Sequence, residues 1–104
     1  MIKLLLEFRK YQFIRCNRSH SLKVEKDWVG KQVSAIPMPL DTSQDMIDDC
    51  LMDDGVHRYI ARTDTIFQRF VGDDGNYGRV YVPRYFMGVD FLIIEAEDGF
   101  DDFL

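Results

Sequence analysis

The 104-residue chain contains nothing close to the ~18 consecutive apolar residues that a membrane-spanning helix needs. Its opening stretch, MIKLLLEF, is too short and too soon charged for a spanning helix or a usual signal peptide. A cytoplasmic protein with no membrane association is therefore expected. Histidine is scarce: His20 and His57 are the only two, and no serine or cysteine stands in a recognisable nucleophile motif, which argues against an enzyme. Cysteine is equally sparse. Cys16 and Cys50 lie in unrelated contexts that match neither a disulfide scaffold nor a CxxC metal motif, and both read as buried free thiols. The carboxylates Asp45, Asp48, Asp49, Asp53 and Asp54 lack the alternation and glycine of a calcium loop and read as a solvated helix face, so neither metal nor cofactor is expected.

What is present is ordinary in amount and uneven in placement. A hydrophobic fraction of 46% with 30% charged residues fits one small globular domain and argues against wholesale disorder. The net charge of −5 hides a division: residues 1–36 hold eight bases against three acids, or +5, which leaves −10 for the remainder. Because screening confines a charge's field to about 8–10 Å, a basic region can act locally on an acidic chain.

The chain also repeats itself. A shift of 58 positions lays LKVEKDWVGKQVSAI, Leu22 to Ile36, beneath VYVPRYFMGVDFLII, Val80 to Ile94, without a gap. Val24 meets Val82, Gly30 meets Gly88 and Ile36 meets Ile94, while Trp28 meets Phe86 and Lys26 meets Arg84. The triplets WVG and FMG fall at the same place between two strand-like runs, as an internal duplication would leave them.

Each copy predicts a strand, one helical turn and a strand. SLKV and RVYV have strand character. Pro83 presets φ for a first helical position in PRYFM, and Gly30 and Gly88 stand where such a turn stops. Upstream strands YQFIR and IFQRFV lead in through CNRSHS and GDDGNYG, whose Asn17, Asp73, Asp74, Gly75 and Asn76 are turn chemistry, Asn17 being tolerant of the left-handed conformation. Each half reads β-β-α-β and exposes sheet edges, so the two are expected to complete one core as an intrachain pseudo-dimer with Trp28 and Phe86 as matched plugs. The predicted fold is mainly β with short helices. Its boundaries are a basic half-unit over 1–38, a linker over 39–58 with an amphipathic helix at about 43–54, a second half-unit over 59–97 and an acidic tail over 98–104. The helix is expected to start at Thr42 or Ser43, to line up Met46, Ile47, Cys50 and Leu51 on one stripe and to stop at Gly55. VHRYIAR follows as a strand.

The run Gly78, Arg79, Val80, Tyr81, Val82, Pro83, then a short helix, Gly88 and a strand, resembles the signature of the AbrB/SpoVT-like swapped-hairpin proteins. The first copy, Arg15 to Lys26, is similar to the MazE-type antitoxin branch, with Asn17, Arg18 and Glu25 departing from its glycine, asparagine and proline. The abbreviated helical segment is more like archaeal relatives. The resemblance implies a cytoplasmic, normally dimeric transcription regulator that binds double-stranded DNA through basic hairpin residues.

On that reading the candidate DNA contacts are Arg15, Arg18, His20 and Lys23 around the first hairpin, flanked by Arg9, Lys10 and Lys26. Arg79 and Arg84 belong to a poorer second copy that Asp73, Asp74 and Asp90 would weaken. Four to six phosphate contacts imply a log–log salt slope of about −4 to −5. A homodimer would present two such surfaces to a palindromic site. The alternative is a non-enzymatic protein-interaction module, an antitoxin or adaptor, acting through the acidic helix and the tail residues Asp98, Phe100, Asp101, Asp102 and Phe103.

Overall fold

A computed structural model describes residues 3–63 and 65–103, with side chains described through residue 99. The chain is mainly β. In order it forms β1 (Lys3–Phe8), β2 (Tyr11–Arg15), β3 (Ser21–Val24), a 3-10 turn (Lys26–Trp28), β4 (Gln32–Pro37), α1 (Gln44–Asp48) and β5 (His57–Arg62). There follow β6 (Phe67–Phe70), β7 (Gly72–Asp73), β8 (Gly78–Tyr81), a second 3-10 turn (Arg84–Phe86), β9 (Asp90–Glu95) and β10 (Gly99–Phe103). Among the described residues no helix is long and apolar enough to cross a membrane.

The strands build three antiparallel sheets, ordered β2-β9-β4-β6, β3-β8-β7 and β10-β1-β5. Central strands β4 and β9 are buried on both faces, which explains why VSAI and FLII run apolar rather than alternating. Since successive side chains point to opposite faces, Val33, Ala35, Phe91 and Ile93 join Leu22, Val24, Trp28, Val80 and Val82 on one side. On the other, Ile36, Leu92 and Ile94 meet Leu4, Leu6, Phe8, Ile47 and Ala61. The central sheet is thus the middle of three layers.

Register and turn geometry recur at the 58-residue spacing. Leu22 faces Val80 across β3 and β8, and Ala35 faces Ile93 across β4 and β9. β2 pairs with β9 while β6 pairs with β4, so the leading strand of each half lies against the last strand of the other. The residues opening the two turns, Glu25 and Pro83, both have φ −57° and ψ 145°. Glu25 thereby adopts without a ring the φ that proline would impose. Gly30 and Gly88 follow at φ +84° and +80°, and an added Cβ would meet nothing within 4 Å at either, so conformation and not space demands glycine there.

Several expectations change. Trp28 is buried, whereas Phe86 is only partly buried, packing edge-on against Phe67 and Phe91 at 5.3 and 5.6 Å. α1 spans five residues, not about twelve. The Ser43 hydroxyl accepts from Met46 N at 3.4 Å as its cap, but the chain turns back by Gly55, at φ +81°, to bridge Leu51 with His57. Only Ile47 of the expected stripe is buried; Met46 and Leu51 are exposed and Cys50 is half-buried, with Cys16 alone fully enclosed. In the CNRSHS connection the left-handed residue is His20, at φ +48°, not Asn17. Asn17 instead accepts through Oδ1 from Ser19 N, Ser21 N and Ser21 Oγ at 2.9–3.2 Å. β1 leaves the first half to join the outer sheet, where Leu4, Leu6 and Phe8 cover the core. The acidic C-terminal segment is β10, paired with β1 from Glu7–Gly99 to Lys3–Phe103. The anchors assigned to side chains of residues 100–103 lie outside the described ones.

Candidate nucleic-acid interface

The first hairpin reverses over Asn17–His20, where His20 N donates to Asn17 O at 3.0 Å. This turn is stitched to the segment carrying the second 3-10 turn. Cys16 N donates to Val89 O and Gly88 N to Cys16 O, both at 2.9 Å. Val82 N donates to His20 O at 3.0 Å, and His20 Nδ1 lies 3.0 Å from Val82 O. Arg18 on one segment and Arg84 on the other are therefore carried to one pole, both exposed and neither with an acidic partner among the described residues.

Arg15 ends β2 at the same pole. Its guanidinium pairs with Asp90, opposite it on β9, with Nε to Oδ1 at 3.0 Å, and the side chain remains 71% exposed. The hydrogen bond and charge of Asp90 hold the Arg15 pKa above its ordinary value. Arg15 can thus turn to a phosphate only in competition with a carboxylate.

The other expected cations are placed differently. Lys26 donates to Asp73 Oδ1 at 2.6 Å and to Gly75 O at 2.7 Å, tying the first 3-10 turn to the acidic GDDGNYG loop, and its hydrogen bond holds the Asp73 carboxyl below the usual range. Arg79 is spent on three partners: Asp74 Oδ2 at 2.8 Å, Ser21 Oγ at 2.7 Å and the Tyr77 hydroxyl at 2.9 Å. Both cations are engaged by carboxylates of the chain, so, like Arg15, each can turn to a phosphate only in competition with them. Lys23, opposite Arg79 in the β3–β8 pair, has no carboxylate partner among the described residues and rests with Nζ 4.1 Å from the centre of the Tyr77 ring. Arg9 and Lys10 do not flank the hairpin tip: they line a recess of about 440 Å³ with Trp28 and Lys31, and Arg9 Nη1 donates to Asp54 O at 3.3 Å.

No family model, no curated protein and no solved structure matches this chain. Its chemistry is therefore read from its own residues. Beside β2 runs an open groove of about 560 Å³ in which the Tyr11 hydroxyl donates to Asp48. Burial, followed by that carboxylate, raises the Tyr11 pKa, so the phenol stays protonated and serves as a hydrogen-bond donor. Among the described residues no group of three or more His, Cys, Asp or Glu side chains converges on a point.

Sequence reasoning passed over the exposed aromatics of the second half, Phe70, Tyr81 and Tyr85. Strand alternation carries the signal for Tyr81, which falls between the inward Val80 and Val82. Arg69 donates to two backbone carbonyls, Gln68 O at 2.9 Å and Tyr81 O at 3.3 Å.

Proposed function

We propose that this chain is a non-enzymatic, duplex-DNA-binding regulator that grips the phosphate backbone with the pole formed by Arg18, Arg84, Arg15 and His20. The single observation that carries the reading is that two guanidiniums with no acidic partner among the described residues, Arg18 and Arg84, stand on hydrogen-bonded segments from different halves of the chain. Such a pair presents charge on a rigid support, which is what phosphate positioning requires. The exchanged pairing of β2 with β9 and β6 with β4, together with matched turns at Glu25 and Pro83, supports a tandem swapped-hairpin organisation resembling the AbrB and MazE-type regulators. In this reading one chain carries both halves of a core, each half contributes a free guanidinium to the basic pole, and a homodimer doubles that pole for a palindromic site.

The test is fluorescence anisotropy with a labelled duplex over a series of salt concentrations. Arg18→Ala with Arg84→Ala removes binding, whereas Lys26→Ala leaves it unchanged. Retained binding in the double variant, or loss in the lysine variant alone, refutes the assignment to this pole.

A further inference from the structure

A second set of contacts extends from this pole across Tyr81 of β8 to Phe70 at the end of β6. Phe70 and Tyr81 are 70% and 57% exposed and line one recess of about 260 Å³ with Arg69. The His20 ring lies 5.8 Å from that of Tyr81, which continues the row of rings to the Asn17–His20 turn and Arg18. Isolated exposed aromatics are common on protein surfaces, but here two share one recess with a cation and a third ring lies against one of them, which makes a patch.

The electrostatics of the recess are decided by pairing. Its two carboxylates, Asp73 and Asp74, are already matched by Lys26 at 2.6 Å and by Arg79 at 2.8 Å. Arg69 forms no ion pair with a carboxylate among the described residues. Its guanidinium sits 5.1 Å from the Phe67 ring centre and spends two donors on backbone carbonyls. Of the five N–H donors of a guanidinium, three remain available, in an orientation fixed by neighbours rather than by solvent. The recess therefore joins flat apolar rings to one oriented, unneutralised cation.

The geometry points to single-stranded nucleic acid as the occupant of this row, with unpaired bases stacking on Phe70, Tyr81 and His20 and a phosphate held by Arg69. Every base has a face that an aromatic ring can cover, and in a duplex those faces are already stacked on one another. A ring row beside a free guanidinium thus favours a strand whose bases are exposed. The inference rests on the reading of the Arg18–Arg84 pole as phosphate-binding, because that pole supplies the charge from which the row extends.

The experiment compares a labelled oligodeoxythymidine of about 16 nucleotides with a duplex of similar length, by anisotropy at low salt on the full chain. Tyr81→Ala and Phe70→Ala each weaken oligodeoxythymidine binding by about 5- to 150-fold. Tyr81→Phe restores it, and duplex affinity stays the same in all three variants. Both residues are exposed, so thermal melts monitored by circular dichroism stay near that of the unaltered protein. If both alanine variants bind the oligodeoxythymidine as the unaltered protein does, the stacking row is refuted. Binding of the duplex alone also refutes it while leaving the Arg18–Arg84 reading intact. Binding of neither refutes both.

Discussion

Replacing Asp90 by asparagine should strengthen DNA binding, because this carboxylate occupies the guanidinium of Arg15 at the proposed pole. The pair is 3.0 Å between Nε and Oδ1, with Arg15 71% and Asp90 16% exposed. An ion pair with so exposed a partner contributes little to folding, so Asp90→Asn keeps the fold. Its effect on binding is larger. Each phosphate neutralised adds about −0.9 to the slope of log affinity against log salt, so Arg18 and Arg84 alone predict about −1.8, and a released Arg15 steepens this to about −2.7. The added 0.9 makes the variant's advantage about 3.5-fold greater at 50 mM than at 200 mM salt. The engagement of Lys26 by Asp73 and the placement of Arg9 and Lys10 away from the hairpin tip explain why these slopes are shallower than the first hairpin's residue count suggests. Anisotropy titrations of one duplex at four or more salt concentrations, on both proteins, provide the comparison. An unchanged or shallower slope in Asp90→Asn, with the fold intact, would refute the placement of phosphate at this pole.

Three further outcomes test the fold. Gly30→Ala and Gly88→Ala should each cost about 1–2 kcal/mol in urea unfolding, because the cost is the left-handed φ alone; strongly unequal losses would show that the two turns are not equivalent. Glu25→Pro gains about 0.4–1 kcal/mol from the pre-set φ of −57°, and loses about 0.5–1.5 kcal/mol with the Glu25 N to Gln12 Oε1 bond of 3.0 Å. The net change should be small, and a loss beyond about 2 kcal/mol would contradict the matched backbone. Lys26 holds the Asp73 carboxyl below its unfolded value, so the native state binds fewer protons than the unfolded one in acid. This contribution is present above the ordinary carboxylate range and is lost as pH falls through the lowered value. Melting temperatures followed from about pH 5 to about pH 3 should therefore fall less steeply in Lys26→Ala.

The turn elements were legible because they obey local rules. Pro83 and the paired glycines mark the two 3-10 turns, and the backbone angles at Glu25 match those at Pro83 despite the change of residue. The inserted helix was overread. Apolar spacing extended it to residue 54, yet Leu51 faces solvent and bridges to His57, because the short return to β5 ends the helix early. The tail was underread, since the short strand GFDDF, with two adjacent acids between phenylalanines, shows no purpose until β1 supplies its edge.

The candidate site divides in the same way. By itself the amino-acid sequence determined the β-rich class, the 58-residue spacing, the positions of the turns and the basic character of the first hairpin, all of which follow from backbone preference and composition. Tertiary structure alone decided which cations are available. Lys26 is engaged by Asp73 and Arg15 by Asp90, while Arg18 and Arg84 have no acidic partner among the described residues. Such pairing acts over a few ångströms between residues far apart in the chain, and no local pattern encodes it.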